Sequence, residues 1–126
     1  MNMNLRNSLS PEKLSEIMNL ARSNAKHGDF FHAKWTTSDG YLRESPCLVL
    51  SNHNDPHNEV IIAKCTTSPA RTDFDIPIKC LARESVVRAN KIYTIGRNQL
   101  ILPLSGKLDD KEYKDILDKL KEAQCL

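Results

Sequence analysis

The sequence predicts a mainly β fold, a small curled barrel of mostly antiparallel strands with a helix at each end. Three observations carry that expectation. Short β-rich runs divided by turn residues fill the middle of the chain, no helical pattern separates them, and a capped amphipathic pattern stands at either terminus. The 126 residues are enough for one core and too few for two. Apolar residues at 40% and charged ones at 27%, with only 4 Gly and 6 Pro, exclude a collagen-like or broadly disordered chain. No run approaches the roughly 18 apolar residues of a bilayer span, and residues 1–13 lack the apolar stretch of a signal peptide. A cytoplasmic protein with no membrane partner is expected.

The first helix begins at Ser10 as N-cap, with Pro11 at the first helical position and Glu12 near the positive end of the dipole. Leu14, Ile17, Met18, Ala21 and Ala25 follow at the spacing of one face, and Gly28 offers a stop. Residues 1–27 therefore read as an N-terminal extension carrying a helix, and 28–126 as the barrel with its C-terminal helix. Strands are expected over residues 30–37, 46–51, 60–67, 73–79, 85–89, 92–95 and 101–104, with a loop over 38–44. The last helix has the sharpest signal. Asp109 and Glu112 form a capping-box pattern, Leu108 and Tyr113 occupy the staple positions, and Tyr113, Ile116, Leu117 and Leu120 share a face.

Charge is unevenly spread along the chain. Residues 64–97 carry seven Lys/Arg against three Asp/Glu, a local +4, while the whole chain is only +2. Such a segment suits a polyanion-facing surface, although an ordinary mixed-charge surface explains it equally well. Cys47, Cys65, Cys80 and Cys125 form no C-x-x-C pair, and Cys47 and Cys65 lie in apolar runs, as small core residues do. His53 and His57 are separated by Asn54, Asp55 and Pro56, which make a surface loop rather than a ligating helix face. No metal and no cofactor is expected.

The elements PCLVLSN at 46–52, IIAKCTTS at 61–68 and SVVRANKIYTI at 85–95, following the Gly28-Asp29 step in that order, resemble the MazF/PemK family of toxin–antitoxin ribonucleases. The resemblance spans about residues 27–122 and leaves the N-terminal helix outside the usual pattern. It implies an SH3-like barrel shared with CcdB, a homodimer, cleavage of single-stranded RNA without metal, and inhibition by a cognate antitoxin. Because fold alone does not fix activity, two other readings stay open: a catalytically diverged module that binds nucleic acid or antitoxin, and a CcdB-like gyrase poison.

Metal-free RNA cleavage uses the substrate's own 2′-hydroxyl as nucleophile. It needs a base, an acid and cations for the dianionic phosphorane. By the resemblance, Arg88 is the catalytic arginine, whose planar guanidinium can hold two phosphate oxygens. Thr66 matches the family threonine at a strand end. The family arginine before the proline is replaced by Ser45, but Arg43, two residues earlier on an extended segment, points to the same side and is the third catalytic candidate. Asn90 stands where PemK-type members carry an acid. With Thr67, Ser68, Arg71 and Lys91 it makes up the expected RNA-contact set, and Lys64, Lys79 and Arg83 add positive charge. Trp35 and Tyr41 are candidates for base stacking, though a lone strand Trp is more often core.

Overall fold

A computed structural model describes residues 10–51 and 58–125. In chain order it contains α1 (Pro11–Ser23), β1 (Phe30–Thr36), β2 (Leu42–Val49), β3 (Glu59–Thr66), β4 (Asp75–Ile78), β5 (Ser85–Gly96), a 3-10 turn (Arg97–Gln99), β6 (Leu100–Leu104) and α2 (Asp110–Ala123). The strands form one six-stranded sheet in the order β4-β5-β3-β2-β1-β6, and neighbouring strands run antiparallel. Among the described residues no helix is long and apolar enough to cross a membrane. His53 and His57 lie outside the described residues.

Strand alternation gives the sheet two faces, each with its own core. Phe31, Ala33, Trp35, Cys47, Val49, Val60, Ile62 and Ile95 pack on one, together with Ala25 that follows α1. Phe30, Leu48, Ala63, Cys65, Val87 and Ala89 pack on the other, under Ile116 and Leu120 of α2. Burial pushes the Cys47 thiol up to about 12 and raises Cys65 as well, so both behave as small apolar groups. Beyond the edge strands the curl is closed by loops rather than by a ladder. Gly106, after β6, lies so close to the Cys80 carbonyl after β4 that a side chain there would collide with backbone.

Both helix starts follow from their caps. The Ser10 hydroxyl accepts from the Lys13 N–H at 3.1 Å, and Asp109 and Glu112 bond each other's backbone N–H at 2.7 and 3.1 Å. On α2, Ile116 and Leu120 are buried whereas Leu117 turns outward. The first helix ends at Ser23 with Asn24 as its C-cap, before Gly28, and this end is tied to the barrel. The buried Arg97 donates through Nη1 to the Arg22 and Ala25 carbonyls, both at 2.9 Å. Arg22 in turn donates through Nε to the Leu100 carbonyl of β6 at 2.6 Å. The chain then turns through Gly28 at φ 93° into β1.

Two strands differ from the sequence expectation, and both differences shape the site. β2 starts at Leu42 rather than 46, because the polar run 42–45 is paired residue by residue with β1, from Thr36↔Leu42 to Ala33↔Ser45. The connection expected over 38–44 shrinks to a tight turn in which the Thr37 N–H donates to the Tyr41 carbonyl at 2.9 Å. The expected strands at 85–89 and 92–95 are one continuous strand, β5, bent at a bulge. Between Cys65↔Val87 and Ala63↔Ile92, two steps along β3 are matched by five along β5. An odd number of steps reverses alternation, so Val87 and Ala89 face the α2 core while Tyr93 and Ile95 face the opposite one.

Candidate active site

β2 and β3 part company at Pro46. Their pairing runs only through Val49↔Ile62, Leu48↔Ala63 and Cys47↔Lys64; proline has no N–H to extend it. The strands splay beyond that point, and a cavity of about 650 Å³ opens between Ser45 and Pro46 on one wall and Cys65, Thr66 and Thr67 on the other, with Arg83 at its rim. Next to it lies a second cavity of about 400 Å³, lined by Arg43, Lys64, Arg71, Arg88, Lys91 and Tyr93 and by Thr37, Ser38 and Asp39 of the β1–β2 turn. Arg43 and Lys64 line both, making one continuous groove.

Strand parity explains the gathering of cations. On β2, Arg43 and Ser45 share the face of Cys47; on β3, Lys64 and Thr66 share the face of Ile62. Arg88 lies opposite in sense to its neighbours Val87 and Ala89, which face α2, and the bulge then brings Lys91 and Tyr93 to the same side as Arg88. Among the described residues, five cationic side chains therefore line one cavity against one carboxylate, that of Asp39. Their mutual field is visible at Lys64, which is held below the ordinary lysine range first by burial and then by repulsion from Arg43, Arg88 and Lys91. Asp39 is held below its ordinary value chiefly by a hydrogen bond from the Thr37 hydroxyl, with a smaller pull from Arg43.

Of the residues named from sequence, Arg43, Arg88, Arg71 and Lys91 meet in the cationic cavity, and Thr66 and Thr67 line the adjoining cleft. The Thr66 oxygen accepts from the Ser68 N–H at 3.2 Å, which leaves its own O–H free to donate. Ser68 and Lys79 line a separate cavity beside β4, and Asn90 is exposed and lines neither half of the groove. Trp35 is buried core, its ring 5.2 Å from that of Tyr93; burial removes it from base stacking. Tyr41 is 64% exposed, with the Arg43 guanidinium 5.9 Å above its ring.

Two residues of the site were not singled out as such from sequence. Lys64 had counted only as one more positive charge, and its place at the junction depends on the parting of β2 and β3. Asp75 was missed. Its side chain is fully buried, and Oδ2 accepts from the backbone N–H groups of Arg71 and Thr72 at 2.8 and 3.3 Å while facing Arg88 Nη1 at 3.5 Å. The available signal was an acid amid the apolar residues of 74–78, since a buried carboxylate needs a cation.

Fold and groove together define a small antiparallel β protein with one sheet face suited to a polyanion. Known proteins sharpen that class. A family model described as the PemK-like, MazF-like toxin of type II toxin–antitoxin systems matches residues 26–123. The chain belongs to this family. Among solved structures it is similar to MazF from Deinococcus radiodurans, with a TM-score of 0.69 at 16% identity over 81% of this chain and 97% of that one. It is also similar to an endoribonuclease from a mycobacterial species, at TM-score 0.67 and 20% identity, covering 82% of this chain and 93% of that one. A mycobacterial endoribonuclease in complex with its cognate antitoxin superposes at TM-score 0.65 and 21% identity, over 81% and 96% of the two chains. No curated protein sequence matches. The match to the family begins after α1.

Proposed function

We propose that the chain is a toxin-type endoribonuclease that cleaves single-stranded RNA through its own 2′-hydroxyl, restrained by a cognate antitoxin. The observation that carries this reading is the convergence of Arg43, Lys64, Arg71, Arg88 and Lys91 on one cavity that runs into the Thr66 cleft. Such a groove holds a phosphodiester in the cationic half and passes the neighbouring nucleotide to the hydroxyl-lined half. Arg88, with its guanidinium fixed from behind, meets the equatorial oxygens as charge builds on phosphorus. Arg43 supplies the guanidinium that Ser45 does not, and the Thr66 hydroxyl donates to the second oxygen. No metal enters these steps. The same cations would attract an acidic antitoxin segment, and the working unit is a homodimer in the cytoplasm, as in the family.

The test is incubation of purified protein with long unstructured RNA in the presence of a metal chelator. Fragments ending in 2′,3′-cyclic phosphate and beginning with 5′-hydroxyl are expected, with turnover reduced to a small but measurable residue in Arg88→Lys and weakened in Thr66→Val. Intact RNA over an excess of protein would refute the nuclease reading. A second reading, RNA binding without turnover, is favoured by one observation: Asn90 replaces the acid of PemK-type members and sits outside the groove. Salt-sensitive binding without product is its signature.

A further inference from the structure

We infer that Asp75 is a positioning residue that fixes Arg88 and the Arg71 turn on the cationic wall of the groove. The inference rests on the proposed role of Arg88 in phosphodiester cleavage. Three features of the carboxylate support it. Its side chain has 0% exposure and Arg88 only 14%, so their attraction at 3.5 Å acts where water screens it little. Oδ2 is the shared point, accepting from the Arg71 N–H at 2.8 Å and the Thr72 N–H at 3.3 Å while it faces Nη1 of Arg88. Oδ1 is buried without a hydrogen-bond partner among the described residues, and the negative charge is balanced through the other oxygen. One carboxylate on β4 thus ties together two of the cations that line the cavity.

The strand geometry requires some such tie. Arg88 opens the bulge in β5, where the ladder to β3 is interrupted, and its pairing partner in β4 is Asp75 itself. A guanidinium at a break in a ladder has several rotamers open to it, and an ion pair from the adjacent strand selects one. Selection of that kind leaves a distinct kinetic trace. Removing a negative charge beside a phosphate site strengthens electrostatic attraction for RNA, whereas releasing Arg88 from its rotamer slows the chemical step. The two effects move KM and kcat in ways that a general loss of folding does not.

The test variant is Asp75→Asn, whose amide oxygen still accepts from Arg71 and Thr72 and so preserves the turn. With a single-stranded RNA oligonucleotide as substrate, kcat is expected to fall by about ten- to a hundredfold, with KM unchanged or lower. In an Arg88→Lys background the same substitution should cost less than about threefold, because the group it positions is gone. Wild-type kcat in Asp75→Asn, or an equal loss in both backgrounds, would overturn the inference. A readout independent of cleavage is the Arg88 guanidinium NMR signal, assigned through Arg88→Lys. Slow rotation about its Nη bonds in the wild type, released in Asp75→Asn, supports the inference even where the wild type cleaves nothing and the nuclease reading fails. Fast rotation in the wild type overturns it, including where the variant does not fold.

Discussion

Replacing Arg97 by Met tests whether α1 is part of the folded unit or an appendage. Arg97 is 4% exposed, and its guanidinium donates at 2.9 Å to two carbonyls, those of Arg22 and Ala25, at the point where α1 ends. Met keeps most of the apolar stem and removes the donors. Hydrogen bonds from a charged donor contribute about 1.5–3 kcal/mol each, and a cation at a helix C-terminus adds up to about 2 kcal/mol when partly buried. Against this stands the relief of no longer burying a charge, of several kcal/mol in the same direction as the substitution. The carbonyls left behind decide the balance: the one on Ala25 belongs to a residue with 1% exposure and has no easy route to water. A net loss of about 3 kcal/mol follows, which at an m-value of about 2 kcal/mol/M moves the urea midpoint down by about 1.5 M. Amide exchange measured alongside should show α1 losing protection before the sheet. A midpoint shift under about 0.3 M with α1 still protected would refute the reasoning, since the capture by Arg97 would then contribute nothing.

Other expectations follow from the same geometry. Arg88→Ala leaves the Asp75 charge buried and unbalanced, so it should destabilise by about 3 kcal/mol, with most of the loss recovered in Arg88→Ala/Asp75→Asn; equal melting of both variants would contradict the ion pair. RNA binding should weaken as pH rises through the lowered pKa of Lys64, because the bound anion favours the charged amine. Calorimetry in buffers of different ionisation enthalpy should show proton uptake on binding in the wild type and less in Lys64→Met. The linkage to folding has the opposite sense. Between that lowered value and the ordinary lysine value, the unfolded chain holds the extra proton, so Lys64 makes stability rise with pH in this window. Gly106→Ala should cost about 1–3 kcal/mol in chemical denaturation, because a Cβ there meets the Cys80 carbonyl and two backbones must separate.

What could be read from the sequence was whatever depends on neighbours along the chain. The capping box of α2 and the Ser10-Pro11 start of α1 are local bonds, and their residues appear in order. Alternation put Arg43 on the same side as Ser45, and the cavity places it beside Arg88. The polar residues 42–45 gave no strand signal, because their strand state comes from pairing with β1 rather than from an apolar face. Asn90 and Lys91 broke the alternation of β5 and made one strand look like two, since a bulge has no periodicity to detect. The roles of Lys64 and Asp75 needed knowledge of which strands lie side by side, and the order β4-β5-β3-β2 is a property of the assembled sheet.

The bulge in β5 also sets how the chain can tolerate changes of length. With five steps opposite two, everything downstream of Ala89 is oriented by an odd count. Deleting Asn90 alone would make that count even, so plain alternation would keep Ile92 opposite Ala63 and leave Tyr93 and Ile95 in their core, at the cost of the bulge alone. Removal of two residues from the same stretch would leave three steps, an odd count that again needs a bulge to keep Ile95 from turning out. Families of variants with altered spacing here should therefore separate by the parity of their indels, far more sharply than by which amino acids were lost.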